Sequence, residues 1–135
     1  MTMYFAYGAN LNREDMRYRC PDARPVGALY LKDWRLVFSG VATIVPSPGD
    51  CVAGALWVLT EDCEKSLDQF EGYPHLYTKQ YLKQDGRDFM VYVMNKIYPS
   101  PPSLTYYSTI KEGYQDWKLD QDYLDQAVLE SVETD

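Results

Sequence analysis

The chain carries apolar residues in short runs that are typical of β-strands. Runs rich in aromatic and β-branched side chains predict strands over residues 3–7, 26–39, 51–59, 77–84 and 88–94. The last two runs flank Asp85-Gly86, a dipeptide that strongly favours a β-hairpin turn. Residues 40–50 contain Pro46, Pro48 and Gly49, so this segment is predicted to be a loop.

Four further stretches are predicted to be helices, over residues 12–19, 61–70, 104–112 and 120–132. Thr60 precedes the second helix as its N-cap, and Gly113 follows the third as its C-cap. The order is strands, a helix, a hairpin and then helices, without alternating βαβ units. This order predicts an α+β fold with a mostly antiparallel sheet or barrel.

Length and charge narrow the function classes. The 135 residues are expected to form one domain, 1–135, of which 119–135 form an acidic helix or tail. With 13 Lys and Arg against 20 Asp and Glu, the net charge of −7 argues against nucleic-acid partners and anionic membranes. No apolar run approaches the roughly 20 residues of a transmembrane helix, and no signal peptide is evident. The three cysteines form no CxxC pair, so we expect a reduced, cytoplasmic protein.

The first candidate site is Tyr7-Gly8-Ala9-Asn10-Leu11, which directly follows a predicted strand. A tight turn of this composition can point several backbone N–H groups outward, and such a concavity binds anions such as a carboxylate. The alternative interpretation is a plain strand-to-helix turn in which Asn10 is the helix N-cap.

The second candidate is Glu71, at the predicted end of a helix and just before Gly72 and Pro74. A carboxyl group in a partly apolar cleft has a raised pKa and can exchange protons near neutral pH. The alternative is a surface glutamate, although the helix dipole disfavours an anion at a C-terminus. The single histidine, His75, is interpreted as a turn residue, and the acidic residues show no metal-ligand spacing.

Several motifs between residues 4 and 95 follow one another in the order and spacing of a known family. They are Tyr4-Phe5-Ala6-Tyr7-Gly8-Ala9-Asn10-Leu11, Ala28-Leu29, Trp34-Arg35-Leu36-Val37-Phe38, Ala42-Thr43-Ile44-Val45-Pro46, Val52-Ala53-Gly54-Ala55-Leu56-Trp57, Leu67-Asp68-Gln69-Phe70-Glu71-Gly72 and Tyr77. Together they resemble the γ-glutamylcyclotransferase-like family, which includes the AIG2-like proteins. The resemblance implies a small, mostly antiparallel β-barrel flanked by helices, with a cavity beside the loop. It also implies a catalytic Glu71 and substrate-binding residues Tyr7, Gly8, Ala9, Asn10, Leu11, Tyr77 and Tyr106.

The activity implied by the resemblance is release of 5-oxoproline and a free amine from a small γ-glutamyl compound. The substrate's own α-amine attacks its γ-carbonyl, and neither a metal nor an organic cofactor is needed. The leaving amine is left open between an amino acid, a dipeptide as in glutathione, and a modified lysine. The protein is expected to be a monomer or a weak homodimer.

One departure from the family pattern keeps a second hypothesis open. The family usually has Ser or Thr where this chain has Ala9, so one hydroxyl is missing. The alternative function is therefore a domain of the same fold that binds a small carboxylate or a partner protein without turnover. The position of Glu71 discriminates between them, because a catalytic carboxylate must face the cavity within reach of the loop.

Overall fold

A computed structural model of the chain describes residues 1–132. Within them lie five strands and four α-helices: β1 (Thr2–Ala6), α1 (Arg13–Arg19), β2 (Arg24–Ser39), β3 (Val41–Leu59), α2 (Glu61–Glu71), β4 (Tyr77–Gln84), β5 (Arg87–Met94), α3 (Leu104–Asp116) and α4 (Asp122–Val132). The predicted α+β class is confirmed. In the predicted acidic segment 119–135, helix α4 covers Asp122–Val132. Residues 133–135 lie outside the described residues.

The five strands form one sheet in the order β2-β3-β1-β5-β4. Three of the four strand pairs are antiparallel and the β1–β5 pair is parallel, which confirms the mostly antiparallel prediction. In the described residues no backbone ladder joins the outer strands β2 and β4, so the term barrel applies only loosely. The side chain of Gln84 on β4 bridges them instead: its Nε2 donates to Tyr30 O and its Oε1 accepts from Lys32 N, both at 2.9 Å.

The loop predicted over residues 40–50 is wrong, because β3 begins at Val41 and pairs with β2 from there. Gly40, with φ of 73°, makes the turn of this long hairpin. Pro46 pairs with Trp34 beside a register shift in β2. A strand tolerates proline where the proline's missing N–H is not needed by a neighbour. Near Pro46 the side of β3 away from β2 is not paired with β1, because β1 pairs only with residues 55–59 of β3.

Helix α3 also differs from the prediction, since it continues through Gly113 to Asp116. A Cβ atom at position 113 would lie 2.6 Å from Leu11 Cβ and 2.8 Å from Asn12 N. Gly113 is therefore present because α3 passes very close to the chain that follows β1, and its predicted role as a C-cap is wrong.

The bounds of α2 follow from local chemistry. Thr60 caps its start, because Cys63 N donates to Thr60 Oγ1 at 3.1 Å. Gly72, in the left-handed conformation with φ of 67°, caps its end. Inward-facing Cys63 and Leu67 anchor the helix in the core, so Glu71 is held at a defined place. In the part of the chain described, no helix is long and apolar enough to cross a membrane.

Candidate active site

A cavity opens where the chain leaves β1, between this turn, the end of α2 and the start of β3. Its volume is about 570 Å³ including the open mouth. Six of its thirteen lining residues are aromatic, and the wall consists of Tyr4, Tyr7, Gly8, Ala9, Asn10, Val41, Ala42, Phe70, Glu71, Leu76, Tyr77, Tyr92 and Tyr106. Seven of the eight residues predicted for the site are thus brought together, and Leu11 is not.

The turn after β1 is one turn of 3₁₀ helix, Ala9–Leu11. Leu11 N donates to Gly8 O at 3.0 Å and Asn12 N donates to Ala9 O at 3.1 Å. The N–H groups of Gly8, Ala9 and Asn10 have no acceptor among residues 1–132, as expected for the first N–H groups of a helical turn. The three residues line the cavity, and their N–H groups are not used within the turn.

Asn10 is not the helix cap that the alternative interpretation required. The cap of α1 is Asn12, whose Oδ1 accepts from Asp15 N at 3.0 Å. The side chain of Asn10 is buried and faces the cavity, where its Nδ2 donates to Tyr4 Oη at 3.0 Å and lies 3.4 Å from Glu71 Oε1.

Leu11 lies on the other side of the turn, fully buried in the core. Its N–H is already bonded within the turn, and its carbonyl accepts from Trp117 Nε1 at 2.8 Å. Leu11 therefore anchors the turn to α3 and has no backbone donor left for a ligand.

Glu71 is the last residue of α2 and is half-buried in the cavity wall. Burial raises the pKa of its carboxyl group to about 7, and the positive charge of Arg19 opposes part of that rise. A carboxyl group with this pKa populates both protonation states near neutral pH. It can therefore accept a proton and return it within one reaction cycle.

Tyr77 and Tyr106 both bind the backbone of Ala42, but in opposite senses. Tyr77 Oη donates to Ala42 O at 2.6 Å, whereas Tyr106 Oη accepts from Ala42 N at 3.0 Å. Burial raises the pKa of Tyr106 to about 12 and that of Tyr77 well above its ordinary value, so both phenols stay protonated at neutral pH. Tyr106 keeps its proton free for an acceptor in the cavity, while the proton of Tyr77 is already used.

The remaining tyrosines of the wall include two that sequence reasoning missed, Tyr4 and Tyr92. Tyr4 Oη accepts from Asn10, and Tyr92 Oη donates to Asp68 Oδ1 at 2.6 Å. Tyr7, which was predicted, donates to the Tyr92 carbonyl at 2.6 Å. The signal that could have found the missed pair is the tyrosine content, 13 against three tryptophans and four phenylalanines.

The sequence profile described as "Gamma-glutamyl cyclotransferase, AIG2-like" matches residues 4–119 of this chain. The match covers the site residues named above and all of the strands except the first two residues of β1. The chain belongs to this family. The resemblance found in the motifs is thereby confirmed.

Individual γ-glutamyl cyclotransferase relatives agree with the profile. Proteins named gamma-glutamylcyclotransferase from Mus musculus and Homo sapiens are each 32% identical to this family member over an alignment of 149 positions including gaps, which covers 97% of this chain and 78% of theirs. A solved structure named gamma-glutamyl cyclotransferase superposes with a TM-score of 0.82 at 30% identity, covering 99% of this chain and 89% of the other. The YkqA protein of Bacillus subtilis, at 18% identity and a TM-score of 0.75, shares the fold.

Among residues 1–132, no three His, Cys, Asp or Glu side chains lie together in a metal-binding arrangement. His75 is exposed and does not line the cavity. The polar groups available to a ligand are those of the loop, the tyrosines and Glu71.

Proposed function

We propose that this protein is a γ-glutamyl cyclotransferase that converts a small γ-glutamyl compound into 5-oxoproline and a free amine. The observation that carries the proposal is the position of Glu71, whose carboxylate lines the cavity and lies 3.4 Å from the amide nitrogen of Asn10. The family relatives named gamma-glutamylcyclotransferase support the same reaction.

The first task of the cavity is to fold the glutamyl chain so that its α-amine meets its γ-carbonyl carbon. Well-oriented intramolecular attack reaches effective molarities of about 10⁵–10⁸ M, so positioning alone accounts for much of the acceleration. The N–H groups of Gly8, Ala9 and Asn10 are the donors we assign to the substrate's carboxylate or to the oxyanion that develops on the carbonyl. The free phenol proton of Tyr106 adds one more donor.

The second task is proton transfer, which we assign to Glu71. The carboxylate takes a proton from the substrate's α-ammonium, and the freed amine attacks the γ-carbonyl carbon. A C–N bond forms to close the ring as the original amide C–N bond breaks, and protonated Glu71 gives its proton to the departing nitrogen. Over the whole reaction the attacking nitrogen loses two protons and the leaving nitrogen gains two. Glu71 transfers one of them; the attacking nitrogen releases its second proton to solvent, and the leaving amine takes its second proton from solvent. No water or cofactor is consumed.

The test is to incubate the protein with γ-glutamyl amino acids, glutathione and γ-glutamyl-lysine and to measure 5-oxoproline by mass spectrometry. We expect Glu71→Gln to lower kcat by about 10²–10⁴-fold, because it keeps the shape and loses the acid–base group. Glu61→Gln is the matched control, since Glu61 is an exposed acid at the other end of the same helix. Full turnover by Glu71→Gln would disprove the assignment.

A second candidate function is binding without catalysis, which Ala9 favours. The family pattern that the motifs resemble usually has Ser or Thr at this position, and Ala9 lacks the hydroxyl group. In that case the cavity binds a small carboxylate without turnover. Saturable binding of 5-oxoproline or of a γ-glutamyl amino acid, with no product formed from any member of the panel, would favour this alternative.

Glu71, the loop residues Gly8–Asn10 and Tyr106 line one cavity within a single copy of the chain. We therefore propose that activity needs no second copy, whether the protein is a monomer or a weak homodimer. Specific activity that stays constant on dilution, beside a sedimentation measurement of mass, tests this; activity lost in parallel with a dimer would contradict it.

A further inference from the structure

Arg19 is the last residue of α1, and it connects the ends of two helices. Its Nη1 donates a hydrogen bond to Asn10 Oδ1. Its guanidinium carbon lies 3.7 Å from the centroid of the Phe70 ring, on the last turn of α2. This stacking accounts for a phenylalanine that is 49% exposed directly before Glu71.

The hydrogen bond from Arg19 determines which way the Asn10 amide points. A guanidinium can only donate, so the atom of Asn10 that faces it must be the oxygen. The nitrogen then faces the opposite way, toward Tyr4 Oη at 3.0 Å and Glu71 Oε1 at 3.4 Å. A half-turn of this amide would place its oxygen against the Glu71 carboxylate and remove a donor from it.

Arg19 also brings a positive charge to a place that lacks one. The last turn of α2 carries no basic residue of its own, and the partial negative charge of a helix C-terminus disfavours the Glu71 carboxylate. The positive charge of Arg19 lowers the pKa of Glu71 and so opposes the rise that burial causes.

The other titratable groups around Glu71 are uncharged or already paired. Burial raises the pKa of each phenol facing it, so none ionises near neutral pH: Tyr4, Tyr7, Tyr77, Tyr92 and Tyr106. One turn earlier on α2, Asp68 forms an ion pair with Lys79 on β4 at 3.0 Å, and Lys79 also pairs with Glu64 at 2.6 Å.

We propose that Arg19 is the positioning residue of this site, which holds the Asn10 amide nitrogen toward Glu71 and offsets the burial of the Glu71 carboxylate. Arg19 does not line the cavity, but it contacts Asn10 and Phe70, which do. It therefore acts through these two residues and through its charge. Only the kinetic consequence of this inference rests on the proposed cyclotransferase function.

The direct test needs no substrate. The side-chain carboxyl carbon of Glu71 is titrated by ¹³C NMR in the wild type, in Arg19→Met and in Arg17→Met. We expect the pKa of Glu71 to rise by about one unit in Arg19→Met, as is typical for loss of a nearby opposite charge. Arg17 is the matched control, because it lies on the same helix but is exposed and does not line the cavity. Equal Glu71 titration in all three proteins overturns the proposal.

A conservative variant separates charge from geometry and covers the case in which Arg19→Met fails to fold. Arg19→Lys keeps the charge but lacks the planar fork that meets Asn10 and Phe70. We expect the titration of Glu71 to stay close to wild type, while the side-chain amide protons of Asn10 change shift and exchange faster. Wild-type Asn10 amide signals in Arg19→Lys would contradict the positioning role.

The kinetic arm is the pH profile of kcat/KM for whichever γ-glutamyl compound the wild type converts. The carboxylate is the form that begins the reaction, so activity rises with pH through the pKa of Glu71. In Arg19→Met this limb should move to higher pH and kcat should fall by roughly tenfold with a smaller change in KM. A merely structural role would lower the whole profile without moving the limb. A wild type without cyclotransferase activity would refute the proposed function, and the NMR titration would still decide the role of Arg19.

Discussion

Glu71 links the chemistry of the site to the stability of the whole chain. Its pKa rises from an ordinary value of 4.5 to about 7 on folding. Between these values the native state binds more protons than the unfolded state, so this group makes stability fall as pH increases through that window. Above the folded pKa the destabilisation is complete, and below about pH 4 it is absent.

Glu71→Gln should therefore stabilise the protein in a pH-dependent way. We expect a gain of about 1–2 kcal/mol at about pH 8, allowing for the half-exposed position of the group, and little gain at about pH 4. Thermal unfolding of wild type and variant at the two pH values measures this, with Glu61→Gln as control. An equal gain in unfolding free energy at both pH values would show that burial does not raise the pKa of Glu71.

Ala9 lies in the loop that follows β1 and lines the cavity. A serine at this position would add one hydrogen-bonding group to the cavity wall. Ala9→Ser should lower KM for a γ-glutamyl substrate by about fivefold, which corresponds to about 1 kcal/mol. Steady-state kinetics test this, with Ala23→Ser, outside the cavity, as control. An unchanged or raised KM would mean that the substrate makes no contact at this position.

At this scale sequence reasoning located Glu71 and Asn10 but not Arg19 or Tyr4. The first two stand in short motifs whose neighbours reveal their chemistry. Arg19 looks like one more basic residue at the end of an amphipathic helix, and Tyr4 looks like a core residue of a strand. Their roles depend on contacts with Phe70 and Asn10 that no local pattern contains.

Among the elements, α3 packs against the loop that follows β1 and supports it. Asn12 Nδ2 donates to Thr109 O at 3.1 Å, and Trp117 Nε1 donates to Leu11 O at 2.8 Å. Gly113 allows the close approach between them. The position of the three free N–H groups of the loop therefore depends on an element more than 90 residues away in the chain.

Gly113→Ala should destabilise the protein although alanine is the better helix former. Intrinsic propensity favours the alanine by about 1 kcal/mol, but the added methyl group would lie 2.8 Å from the Asn12 nitrogen. Overpacking of this kind costs about 1–3 kcal/mol or more, so we expect a net loss in unfolding free energy. Urea unfolding measures it, and Ser108→Ala on the exposed face of α3 serves as control. A more stable Gly113→Ala would show that α3 can move away from the loop freely.

At the scale of the whole molecule, the open side of the sheet is bridged by the side chain of Gln84. Its two hydrogen bonds connect β4 to the backbone of β2 without a strand ladder. The outer strands thus stay in contact, although strand pairing does not close the sheet.

Gln84→Ala should loosen this side without unfolding the protein. Each partly exposed hydrogen bond contributes about 0.5–1.5 kcal/mol, so we expect the melting temperature to fall by several degrees. Hydrogen exchange of the Lys32 amide should become faster, whereas Lys83→Ala, an exposed neighbour, should leave it unchanged. Protection of Lys32 that survives in Gln84→Ala would mean that β2 needs no support from β4.

The sequence by itself determined the parts of this protein that depend on near neighbours. The Asp85-Gly86 turn, the Thr60 N-cap and the Gly72 C-cap each involve residues within one turn of the chain. The two caps of α2 place Glu71 at its end. Tertiary structure alone decided the course of β3 through its prolines and the passage of α3 over Gly113. Tertiary structure also decided the contacts of Arg19 with Asn10 and Phe70. Those outcomes depend on strand order and on helices packed from distant parts of the chain, and the spacing of residues along a single segment carries no record of such partners.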